Sequence, residues 1–346
     1  MSEGFMAGGR RNSGLLALAA AMLAAWTSGA AAQSASEARW AEIVEAAKKE
    51  GAVTIYSGQG LLQLKDLAAR FEEAYGIPVQ VVRAVESELL PKVDAEFTTG
   101  QGIADIFVSA DIGTVRDRNA KGYIMPAVGP AFDNPDYDRA TRMPETTYFE
   151  CGAAILTFSW NTELHPKGIK DYPDVLDPSL EGKIGVPNPT TMAQVDFYLY
   201  LQENYGEDYV EKLAALKPRI YAGALPLAQA VVSGEVAVAV YGQALIDEQA
   251  KGAPVDWGLA PKPWGARFWG WVLKSAPHPN AAQLLANFMV TEEGQEAVQR
   301  LQASVLPNVE GAIATTDNVR RPDLAKLTPE FASQYRENWR KLFGQQ

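Results

Sequence analysis

The sequence predicts an α/β protein built from parallel βαβ units. Helical apolar spacing and short strands take turns from the first helix onward, and short strands alternating with helices imply parallel βαβ units. Trp40, Ile43, Val44 and Ala47 form a helical stripe, followed by a strand over 52–56 and a second helix carrying Leu64, Leu67, Ala68, Phe71 and Tyr75. A strand over 79–82, a helix over 89–97 and a strand over 105–108 continue the alternation. In open sheets of this kind ligands sit beyond the carboxyl ends of the strands. That rule picks out three loops: Ser57-Gly58-Gln59-Gly60, Arg83-Ala84-Val85-Glu86-Ser87 and Ser109-Ala110-Asp111.

A second α/β section follows the proline-rich, irregular stretch 125–144. It reads as a strand over 154–160, a strand over 183–186 leading into Pro187-Asn188-Pro189-Thr190-Thr191, and helices over 193–204 and 206–216. The segment 220–222, a helix over 225–232, a strand over 235–241 and a return over 268–274 complete it. Ser233-Gly234 is a helix stop, and 280–290 has helical apolar spacing. The last helix carries Phe331, Tyr335, Trp339 and Phe343 at steps of four, the core face of a helix docked on its own lobe, with an aromatic partner surface as the alternative.

The N-terminus reads as a secretory signal peptide over 1–32. Arg10-Arg11 precede an apolar run over 15–26 that is too short to span a bilayer comfortably, and Ala30-Ala31-Ala32 offers a cleavage site before Gln33. An uncleaved anchor is the alternative. The arginine pair suggests twin-arginine export, although Asn12-Ser13-Gly14 fits that consensus poorly. Cleavage leaves about 314 residues, enough for two globular lobes, and makes the net charge of −11 one unit more negative. Such a surface repels nucleic acid and anionic lipid. The single cysteine, Cys151, lies among apolar residues and reads as a small buried hydrophobe rather than a nucleophile.

From Val231 to Val298 the chain runs VVSGEVAVAVYGQ and later SAPHPNAAQLLANFMVTEEGQEAV. The order and spacing of these fragments resemble those of periplasmic solute-binding proteins that feed ABC importers, in the group that binds ferric iron, phosphonates or polyamines. The resemblance implies a type 2 periplasmic-binding fold: two lobes, each a mostly parallel sheet flanked by helices, joined by a two-strand hinge. Lobe one is then 36–157 plus 271–346, and lobe two 158–270. It further implies a monomer in the periplasm that binds a small-molecule ligand without any cofactor and hands it to an inner-membrane permease.

Recognition then rests on groups facing the cleft. The strand ending at Ser57 enters a helix through Gly58 and Gln59, and Thr190-Thr191 repeat that arrangement, so amides at helix starts favour an anion. Ordinary helix capping is the alternative at each. Glu86, Ser109 and Asp111 belong to the remaining lobe-one loops, while Tyr221, Tyr241 and Gln243 stand at the ends of lobe-two strands. Arg267 and Trp264, in a stretch dense in aromatics, make a candidate carboxylate or phosphonate clamp, with an aromatic hinge core as the alternative; Trp269 and Trp271 read as core.

Ferric-iron binders of the group carry a tyrosine pair at the position of Tyr241-Gly242. The second tyrosine is missing here, so iron would need Tyr221, Tyr241 and Glu86, and no metal site is assigned. Gly58-x-Gly60 has Gln63 where a dinucleotide fingerprint needs its third glycine. No nucleophile elbow, metalloprotease helix or cysteine–histidine couple is present, which argues against a secreted hydrolase.

Overall fold

The computed structural model describes residues 1, 36–323 and 325–345; the expected signal peptide and its cleavage site lie, apart from Met1, outside them. Helix α1 (36–50) is followed by β1 (Val53–Ser57), α2 (Leu61–Tyr75), β2 (Val79–Arg83), α3 (Glu86–Thr99), β3 (Ile106–Ser109) and α4 (Ile112–Ala120). The irregular stretch holds β4 (Ile124–Met125), 3-10 turns and the one-turn helix α5 (Arg139–Arg142). The strand expected over 154–160 is two strands, β5 (Phe149–Ile155) and β6 (Thr157–Asn161), parted at Leu156.

Then come β7 (Ile184–Pro187), α6 (Met192–Tyr205), α7 (Tyr209–Ala215), β8 (Arg219–Tyr221), α8 (Ala224–Val232), β9 (Val238–Gly242), α9 (Ile246–Ala250) and β10 (Val255–Gly258). The chain returns through β11 (Gly265–Leu273), α10 (Pro279–Phe288), α11 (Glu292–Val298), β12 (Ala303–Ser304), β13 (Ala314–Thr315) and α12 (Pro329–Leu342).

Two sheets result. The first has the order β13-β12-β5-β11-β3-β1-β2, with β4 also on β11; the second has the order β10-β6-β9-β7-β8. Both are mixed rather than mostly parallel. The parallel trios β2-β1-β3 and β8-β7-β9 repeat the same βαβ crossover logic, and β11 and β6 add antiparallel strands beside them. Leu64, Leu67 and Phe71 of α2 pack with α10 and α11 on one face of the first sheet; Leu89 and Val93 of α3 pack with Trp269 and Trp271 on the other. Cys151 is buried and burial pushes its thiol up, as a small hydrophobe requires.

Register places the strand ends. Ile155 pairs with Gly265 and Thr157 with Gly242, so β5 leaves the first sheet where β6 enters the second. β5 and β3 both run antiparallel to β11, so the carboxyl ends of β1, β2 and β3 lie at the end where β5 exits. β9 runs antiparallel to β6, so the carboxyl ends of β7, β8 and β9 lie where β6 enters. The two sets of loops therefore face each other across the junction. Residues 259–264 cross back beside Leu156, whose amide donates to the Trp264 carbonyl at 3.1 Å.

Two boundaries differ from expectation. β11 belongs to the first sheet from Gly265, six residues before the anticipated return at 271. The terminal helix does present its aromatic stripe to a core, but to α6 of the second lobe. Trp339 lies against Tyr198, Ala332 against Val195 and Leu199, and Tyr335 donates to Gln202 Oε1 at 3.0 Å. A periodic stripe shows that a helix is docked, not on which partner.

Candidate functional site

The first-lobe loops converge at the ends of β1, β2 and β3. Ser57 is buried, and its hydroxyl accepts from the Gln59 amide at 3.1 Å, folding Ser57-Gly58-Gln59 into a tight turn. Arg83, at the end of β2, donates from Nε to the Gln59 carbonyl at 3.3 Å. That bond holds an exposed guanidinium against the neighbouring turn, and its two terminal nitrogens have no protein partner among the described residues.

Glu86 lies in the first turn of α3 and accepts from the Ser109 hydroxyl at the end of β3. Burial raises the Glu86 carboxyl above the usual range, and the Ser109 bond offsets part of that. Asp111 is exposed but occupied as the cap of α4, accepting from the Gly113 amide at 2.8 Å and the Thr114 hydroxyl at 3.0 Å.

On the second lobe, Thr191 caps α6 in a reciprocal box with Gln194: the Gln194 amide donates to Thr191 Oγ1 at 3.2 Å, and the Thr191 amide to Gln194 Oε1 at 2.9 Å. Thr190 also donates to Gln194 Oε1, at 2.9 Å. Both hydroxyls thus begin a helix, the alternative reading for that pair. Gln243 is exposed just beyond β9. Tyr241 is 9% exposed, its ring held by Phe197 and Trp264, and its hydroxyl has no partner among the described residues. Burial pushes that phenol up.

Gly242 keeps this end bare, because a Cβ there would stand 2.8 Å from Ser159 Oγ. Ser159 and Thr157 have buried hydroxyls without partners and flank the same point. Neither was singled out from the sequence.

Three expected ligand residues have other tasks. Arg267 is 5% exposed and pairs with the fully buried Glu150 of β5, while its Nη2 donates to the Thr316 and Val319 carbonyls at 2.7 and 2.6 Å. Its fork is spent inside the first lobe, so it neither clamps a ligand nor lies on the surface. Trp264 is 2% exposed and donates from Nε1 to Asp196 at 2.8 Å, which makes it core. Tyr221 lies along the sheet over Gly185, and its hydroxyl donates to Glu235 Oε1 at 2.8 Å, away from the carboxyl ends of the strands.

The residue that sequence reasoning passed over is Arg83. It lies within a loop already marked, and a cation directly after a strand was the available signal. Helix starts sharpen the picture. Among the longer helices whose starts are described, α4, α6 and α12 are capped by Asp111, Thr191 and Thr328, and α10 receives Glu50 from α1. Helices α2, α3 and α8 start at Gly60, Val85 and Gly223 with no side-chain cap. All three follow strands whose ends line the cleft, so first-turn amides left without a side-chain cap are donors there, although the Glu88 amide of α3 is bonded to the Val85 carbonyl at 2.9 Å. Among the described residues no group of three or more His, Cys, Asp and Glu side chains could hold a metal ion, and no helix is long and apolar enough to cross a membrane.

Two lobes with facing strand ends and a cleft rich in donors define a type 2 periplasmic-binding fold. Residues 53–300 match the bacterial extracellular solute-binding protein family, and the chain belongs to it. The fold is similar to that of iron-bound HitA from Pseudomonas aeruginosa, with 20% identity over 84% of this chain and 99% of that one at a TM-score of 0.64. AfuA from Actinobacillus pleuropneumoniae, a periplasmic binding protein with exogenous fructose-6-phosphate bound, gives 20% identity over 85% and 99% at 0.63. The substrate-binding protein of an ABC transporter from Agrobacterium tumefaciens gives 16% identity over 84% and 95% at 0.67. Comparison with curated proteins returns no match. The family is one of binding proteins rather than enzymes.

Proposed function

We propose that the protein captures a small organic anion, a carboxylate or phosphorus oxyanion, between its lobes in the periplasm and delivers it as a monomer to the permease of an ABC importer. The observation that carries the ligand's sign is Arg83: a guanidinium fixed by one bond, with two free nitrogens, beside the uncapped starts of α2 and α3. Free donors in that fork geometry suit a planar or tetrahedral oxyanion. Closure would bring it opposite the uncapped start of α8 and the spare hydroxyl of Tyr241. The phosphate ester bound by AfuA supports an anionic ligand.

Iron, bound by HitA, finds less support, because the Tyr221 phenol is tied to Glu235 and stands apart from Tyr241 and Glu86. Thermal-shift screening against carboxylates, phosphonates, sugar phosphates, polyamines and ferric ion is the test, since a ligand of the native state must raise its stability. Stabilisation by an anion that is lost in Arg83→Ala is expected. Stabilisation by polyamines or ferric ion alone would overturn the reading.

A further inference from the structure

The lobes are tied together a third time. Beyond Leu156 and 259–264, the chain passes from β13 in the first lobe to α12 on the second, and we propose that this passage, residues 316–323, is a strap that fixes the axis about which the lobes bend, with Asp196 as its anchor.

The first-lobe end is held from inside. Arg267 donates to the Thr316 and Val319 carbonyls, and the buried Arg142 donates to Asp317 Oδ1 at 3.0 and 3.1 Å. The next residue belongs to the other lobe. Arg320 donates from Nη1 to Asp196 on α6 and from Nε and Nη2 to Glu203 Oε2 at 3.0 and 2.7 Å. Asp196 also accepts from Trp264 Nε1, so one carboxylate joins the second and third crossings.

The Arg320 amide meets the Pro263 carbonyl at 3.5 Å, and Leu156 meets Trp264. The three crossings therefore lie in a row, Leu156 beside Pro263-Trp264 beside Val319-Arg320. Two adjacent flexible connections resist twisting poorly, whereas a third tie in line lengthens the axis and leaves bending about it as the easy motion. Beside the strap is an open hollow of about 500 Å³ lined by Tyr200, Lys262, Asp317 and Arg321. Beyond the strap, α12 reaches the cleft, since its Arg336 donates to the Pro189 carbonyl at 2.8 Å, next to Thr190 and Thr191.

The test needs no ligand and so is independent of the proposed anion. Labels on Lys65→Cys and Lys212→Cys, exposed positions on α2 and α7, report the distribution of distances between the lobes; the native Cys151 is buried. Arg320→Ala and Asp196→Asn should each broaden that distribution at a temperature where circular dichroism shows the protein folded. Arg219→Ala, which removes a surface ion pair with Glu235, should leave it narrow. A simple loss of stability lowers the melting temperature without changing this width in the folded state. If Arg320→Ala does not fold, Arg320→Lys serves, because an ammonium cannot reproduce the fork that spans Asp196 and Glu203. Unchanged width in Asp196→Asn and in the folded Arg320 variant would overturn the strap.

Discussion

The junction between the lobes and the cleft loops above it both carry charge and use it in opposite ways. At the junction, Arg267, Glu150, Arg142 and Asp196 are buried, Arg320 is half-buried, all five are paired, and their bonds run to other parts of the same chain. In the cleft, Arg83 is exposed and only partly engaged, and Glu86 is held by a neutral hydroxyl rather than by a cation. A guanidinium whose fork is filled by protein is structural; one held by a single bond still has donors to offer. The aromatic surroundings of Arg267 describe how buried it is, not whom it bonds.

Substituting the two arginines separates these roles most sharply. Arg267→Ala leaves the Glu150 carboxylate buried without its main partner and the strap carbonyls without donors, so denaturant unfolding should show a loss of about 3–5 kcal/mol. An equal stability in this variant would dissolve the contrast. Arg83→Ala should leave unfolding nearly unchanged while calorimetry with the screened anion shows a loss of about 1.5–3 kcal/mol, roughly 10-fold to 150-fold in affinity.

Thr191→Ala removes the cap of α6 and should cost about 1 kcal/mol in stability, measured by urea denaturation. A far larger loss of ligand affinity than of stability would instead make Thr191 a binding residue. Glu86→Gln should have the smallest effect, visible only against pH. The folded value of Glu86 lies above its ordinary 4.5, so over the window above 4.5 the folded protein keeps a proton that the unfolded chain has lost, and its contribution to stability declines as pH rises through that window. An anion beside Glu86 should correspondingly bind better as pH falls from neutrality toward 4.5. The Gln variant should bind with no such slope.

Local periodicity made most of the framework legible. Leu64, Leu67 and Phe71 marked α2 because a helix must bury one stripe, and Ser233-Gly234 marked the end of α8 because Gly234 takes a left-handed φ of 73°. The loops at the ends of β1, β2 and β3 followed from the crossover rule alone. What stayed hidden depended on distant partners. The break at Leu156 interrupts an apolar run that reads through without a signal, and Glu150 meets Arg267 across 117 positions of sequence. Trp339 could be seen to need a core, but only Tyr198 shows that the core belongs to the other lobe.

The position of β11 has a consequence in time. It lies between β3 and β5, with Ser109 paired to Trp269, so the first sheet lacks its middle until the whole second lobe has been synthesised. Until then β3 has an open edge and Phe107 lacks the Trp271 ring that later stacks on it. Pairings this remote in sequence form slowly. A chain emerging from the ribosome thus holds its first lobe unfinished until β11 has followed the second lobe out.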